Sequence, residues 1–83
     1  MSVYALQKLI RDVNRKPACR EAFFAAPAEF AGGYELTEGE RDALLRLDVR
    51  RLYGLGVHAL LLRPFTLLHK MPEPDYLNAI RGD

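Results

Sequence analysis

At 83 residues, 49% of them hydrophobic and 28% charged, the chain has the composition of one soluble globular domain, spanning 1–83, and is too short to divide into two. Twelve lysines and arginines against eleven acids leave a net charge of +1, with no run of five like charges, which excludes a polybasic tail for nucleic acid or for a membrane. The single cysteine, Cys19, rules out an internal disulfide framework, no signal-peptide pattern opens the chain, and the apolar run from Leu55 to Leu68 falls short of the ~20 residues that cross a bilayer, so a cytoplasmic protein is expected.

Along the chain, Leu6, Leu9, Ile10 and Val13 recur at the three-four spacing of one helical face, after Ser2 as N-cap, and predict a helix ending near Lys16. Pro17 suits the first turn of a second helix, because its missing N–H has no partner there, and Cys19, Ala22, Phe23 and Ala26 would form its apolar side. Pro27 is expected to close or kink that helix. The segment "PAEF" then reads as a turn into Gly32 and Gly33, which suit the left-handed end of a helix. "TEGE" is the clearest start signal: Thr37 as N-cap and Glu40 three residues on make a capping box, and Ala43, Leu44 and Leu47 follow as the buried stripe. Asp48 is placed to cap a short helix holding Val49, Leu52 and Tyr53, with Gly54 or Gly56 ending it. A last apolar face, Tyr76, Leu77 and Ile80, precedes Gly82 as a stop. No segment alternates as a strand does, so the expected architecture is all-α, a compact single domain of five or six short helices.

The stretch "YGLGVHALLLRPFTLLHK" concentrates two glycines, two histidines and a proline in the most apolar part of the chain. Counted from Val57, the residues Val57, Leu60, Leu61, Phe65 and Leu68 share one face, with Pro64 on the same side, and predict the core. Leu62 falls off that face, and His58, Phe65 and His69 line the flank between, so the expected partner surface is His58, Leu62 and Phe65. Pro64 removes one ladder hydrogen bond, which predicts a kink or two helices meeting at Arg63.

Catalytic and metal chemistry has little to stand on in this sequence. On one helix, His58 and His69 would lie about 16 Å apart, too far to share a metal, and a His beside glycine at a helix start is more often a cap than a base. Cys19 reads as a small buried hydrophobe. No HExxH, CxxC, GxSxG or phosphate-cradling loop is present. Arg46, Arg50 and Arg51 in "RLDVRRLY" would reach phosphates only if the short helices formed a helix-turn-helix; a solvated rim facing an acidic partner is the simpler reading. The expectation is a chain with no catalytic residue, no metal and no cofactor of its own, free to self-associate as a homo-oligomer.

The order of "ALQKLIRDVNRKPACREAFFAAPAEF", "YELTEGERDALLRLDVRRLYGLGVHALLLRPF" and "PDYLNAI" resembles the LigA family, the small subunits of protocatechuate 4,5-dioxygenase-type extradiol enzymes. The motif that carries the resemblance is Leu36-Thr37 before a helix, Ala43-Leu44 within it, then Asp48, Leu52, Gly56 and His58. The resemblance implies a helical accessory subunit that docks on a larger LigB-type chain, which holds Fe(II) through two histidines and a carboxylate and opens catechol-like rings. It also implies a second use, as a recognition domain or precursor that docks on a peptide-modifying enzyme such as a borosin-type backbone N-methyltransferase.

Overall fold

The computed structural model describes residues 3–81, and among these the backbone forms seven helices and no strand. Helix α1 (Tyr4–Arg15) carries Leu6, Leu9, Ile10 and Val13 fully buried on one side, the face its spacing requires. Ser2 and Gly82, expected as cap and stop, lie outside the described residues.

Two prolines set the next boundaries. Pro17 is the first residue of α2 (Pro17–Ala25), and Lys16 before it is extended, with φ −107° and ψ 113°, because a residue preceding proline is held out of the helical region. Pro27 repeats the arrangement and opens α3 (Pro27–Ala31) after Ala26, at φ −150° and ψ 79°. "PAEF" is therefore a helix and not a turn, which raises the count above the five or six expected. The reason is that a proline that ends one helix also has the φ and the absent N–H that suit the first turn of another. Gly32 stays right-handed at φ −64°, its N–H donating to the carbonyls of Ala28 and Glu29, so the left-handed ending expected at this glycine is not used. Of the α2 residues assigned to the core, Phe23 is buried, Cys19 and Ala26 are half-buried, and Ala22 faces solvent.

Helix α4 (Glu38–Arg46) starts with the expected capping box: the Glu40 N–H donates to Thr37 Oγ1 at 3.1 Å, and the Thr37 N–H donates to Glu40 Oε1 at 2.9 Å. It ends at Leu47, left-handed at φ 53°. In α5 (Val49–Leu55), Asp48 caps by accepting the Arg51 N–H at 3.3 Å, and Gly56 ends the helix at φ 109°, a conformation that favours glycine. Helices α6 (Ala59–Leu68) and α7 (Glu73–Arg81) complete the chain. Helix α1 packs against α2 and α6, and α5 against α4 and α7. One apolar cluster joins them, running from Leu6 through Phe23, Leu44, Leu52 and Phe65 to Tyr76.

Two polar ties hold α1 in place that periodicity alone does not reveal. The Arg20 guanidinium donates to the carbonyls of Val13 (3.2 Å) and Asn14 (2.7 Å), the last turn of α1, where a helix leaves its acceptors unpaired. Asp12, buried, accepts the Tyr34 hydroxyl at 2.6 Å, with Lys8 and Lys16 ammonium groups at 3.5 and 3.7 Å. The Tyr34 hydrogen bond and the two cations outweigh burial and hold the Asp12 carboxyl below its ordinary value of 3.8. Burial, aided by the Asp12 bond, raises the Tyr34 phenol above its ordinary 10.0.

Candidate functional site

Helix α6 begins with a histidine. His58 Nδ1 accepts the Leu60 N–H at 3.0 Å, while the His58 N–H donates to Gln7 Oε1 of α1 at 3.0 Å. A neutral imidazole in this arrangement carries its proton on Nε2. The ring is a cap at the start of α6, two residues after the Gly56 stop.

The roll of α6 differs from the one expected. Leu62, Phe65 and Thr66 are fully buried, Leu61 and Leu68 sit at the boundary, and Leu60 is 79% exposed. Val57 precedes the His58 cap and is not helical, and the apolar residues that remain cover most of the circumference of α6, so their spacing does not choose a face. The neighbours fix the true roll: Leu61 lies against α1, and on the opposite side the Arg63 guanidinium stacks over the Tyr76 ring of α7 at 5.0 Å. Thr66 satisfies its buried hydroxyl by donating to the Arg63 carbonyl at 2.9 Å. Of the expected partner surface, only His58 is exposed; Leu62 and Phe65 are closed inside the core.

The outward face holds different residues. Leu60, Pro64 and Leu67, at spacing i, i+4 and i+7, all face solvent, with Leu67 54% exposed. Pro64 sits within a continuous α6, so two helices meeting at Arg63 are not seen. Its ring lies on the solvent side, where water can take the Leu60 carbonyl that loses its donor. No spacing signal picks out this face, because apolar residues surround most of α6; only the contacts with the neighbouring helices do.

Beside this stripe, Tyr4, Gln7, Lys8 and Arg11 of α1 and Leu61 of α6 wall a groove of about 210 Å³, and Tyr4 is 67% exposed. A second groove, of about 440 Å³, lies at the α4–α5 corner between Glu38, Arg41, Asp42 and Arg51. It is filled with opposed charges. Asp42 pairs with Arg46 at 3.0 Å and Arg51 at 3.4 Å, so two arginines of "RLDVRRLY" face a carboxylate of their own chain. His69 lies edge-on to Phe23, Phe24 and Phe65, with Nδ1 2.9 Å from the Phe65 carbonyl.

Among the described residues, no group of three or more His, Cys, Asp or Glu side chains is placed to hold a metal ion, and no helix is long and apolar enough to cross a membrane. Fold and surface together define a small domain, all-helical among the described residues, with polar caps and ion pairs and with an apolar helix face open to solvent. The chain belongs to the family of the LigA subunit of the aromatic-ring-opening dioxygenase LigAB, whose family model matches residues 6–83. Membership ties it to aromatic catabolism, since the family is that of the LigA subunit of an aromatic-ring-opening dioxygenase. No curated protein and no solved structure matches the chain.

Proposed function

We propose that this chain is a non-catalytic accessory subunit that docks on a LigB-type extradiol dioxygenase and caps its active site. The observation that supports the reading is the apolar stripe Leu60, Pro64 and Leu67, solvent-facing on a helix of a chain that belongs to a subunit family. The Fe(II) for ring cleavage then belongs to the larger chain. Such iron needs two histidines and a carboxylate converging on one point, and the described residues here do not fit: His58 uses Nδ1 as a helix cap, and His69 lies among phenylalanines. The contribution of this chain is to roof the aromatic pocket, excluding water and adding apolar surface. The precursor reading gains no support from the segment it depends on, because "EPDYLNAIR" forms α7 with Tyr76 buried in the core.

The test is reconstitution with a LigB-type catalytic chain from the same genome. Mixed in equal amounts, the two should co-elute, metal analysis should find iron in the larger chain only, and oxygen uptake with catechol-type substrates should rise when the small chain is added. Failure to form a complex, or stoichiometric iron with turnover in the small chain alone, overturns the proposal.

A further inference from the structure

The groove between α1 and α6 is bordered by cations of α1. Lys8, Arg11, Arg15 and Lys16 belong to α1 and its cap, against one acid in that segment, Asp12, which is buried and already paired with Tyr34 and two lysines. The outer side of α1 therefore presents Tyr4, Lys8, Arg11 and Arg15 with no carboxylate among them. At the α4–α5 corner, by contrast, the arginines meet a carboxylate, Asp42 with Arg46 and Arg51. The basic side of α1 borders Leu61 in the groove, and Leu60 and Pro64 lie on the face of α6 just beyond it.

From this juxtaposition we infer that the α1–α6 groove is the docking site, and that it receives a segment of the catalytic subunit with apolar side chains bordered by carboxylates. The inference rests on the subunit reading above. The apolar stripe needs side chains that can be desolvated against Leu60, Leu61 and Pro64. The cations beside it set the register and select the partner: at an interface edge, opposite charges steer association, and like charges juxtaposed disfavour the wrong partner. The same charges argue against a second copy of this chain on this face, since a two-fold contact centred on the groove would set one basic patch against another. At about 210 Å³ the groove is also smaller than the roughly 300–1,000 Å³ typical of small-molecule pockets.

The experiment measures the affinity of the full chain for the LigB-type catalytic chain by calorimetry at low and high salt, for the wild type, Arg11→Glu, Leu60→Ser and, as a control of equal charge change, Arg46→Glu. Arg11 and Leu60 are exposed, so circular dichroism should show both variants folded. Each should weaken binding by about tenfold or more, with Arg46→Glu within about twofold, and added salt should weaken the wild type more than Arg11→Glu. A folded Arg11→Glu that binds as well as the wild type, or an equal loss from Arg46→Glu, overturns the inference while the subunit reading stands. Absence of a complex with the wild type overturns both. A chain that dimerises alone, with the dimer dispersed by Arg11→Glu, assigns the face to a second copy and also overturns the inference.

Discussion

Helices α4 and α6 are nearly the same length, 9 and 10 residues, yet they relate to the rest of the molecule in opposite ways. Helix α4 has a reciprocal capping box, buries Ala43 and Leu44, and sets Asp42 between Arg46 and Arg51. Helix α6 contains a single charged residue, Arg63, is apolar on nearly every side, and leaves Leu60 and Leu67 in solvent after burying Leu62 and Phe65. The difference separates an element completed by its own chain from one with more apolar surface than its own chain covers. In a domain this small, which buries a modest share of its surface, the second kind is where a partner adds stability.

The comparison breaks most easily at Leu62. Leu62→Ala should destabilise the chain by about 2–5 kcal/mol, as truncation of a fully buried leucine does, and urea or thermal unfolding would read it. A loss under about 0.5 kcal/mol, the range of ordinary surface changes, would mean that α6 is rolled the other way. Next in size is the tie that holds α1, the helix against which α6 packs. Tyr34→Phe removes the hydroxyl from buried Asp12 and should cost about 1.5–3 kcal/mol at neutral pH, since the bond is to a charged group. Because the folded Asp12 pKa lies below 3.8, its contribution is present above that value and is lost as pH falls through the folded pKa. Tyr34 is raised above 10.0, so its share holds below that value and is lost as pH climbs beyond it. Stability of the wild type should therefore fall at both extremes, and the variant should show a shallower acid limb in pH-dependent unfolding. An unchanged acid limb would place the source of acid sensitivity elsewhere.

On the α4 side the expected effect is smaller. Thr37→Ala leaves the Glu40 N–H without its cap and should cost about 0.5–2 kcal/mol, visible as a lowered unfolding midpoint. The smallest change sharpens the contrast within α6 itself. Leu60→Ala should alter the stability of the isolated chain by no more than about 0.5 kcal/mol, two residues away from a position expected to cost several times that.

What the sequence shows well is local. The capping box at Thr37 and Glu40, the Asp48 cap, the Gly56 stop and the α1 stripe each rest on residues within a few turns of one another, so spacing alone reveals them. Pro27 is legible as a boundary, though its second role, opening α3, depends on the helical residues after it. The roll of α6 is not legible. Its apolar residues cover most of the circumference, so periodicity does not choose a face; Gln7, Leu61 against α1, and Tyr76 choose it, and two of those contacts reach to the ends of the chain. The same holds for Tyr34 with Asp12, and for Arg20 on the end of α1, since nothing in a helical pattern announces a side chain that bonds a neighbouring helix.

The most direct test of the subunit reading compares two exposed leucines, Leu60 on α6 and Leu45 on α4, which are 79% and 40% exposed. Each is changed to aspartate, both variants are checked for helicity, and their affinity for the LigB-type catalytic chain is measured against the wild type. Leu60→Asp should weaken the complex by about tenfold or more, by burying a charge in a desolvated contact, while Leu45→Asp should stay within about twofold. A complex that tolerates Leu60→Asp and fails with Leu45→Asp would contradict a docking face on α6, and would place the partner on the α4–α5 corner.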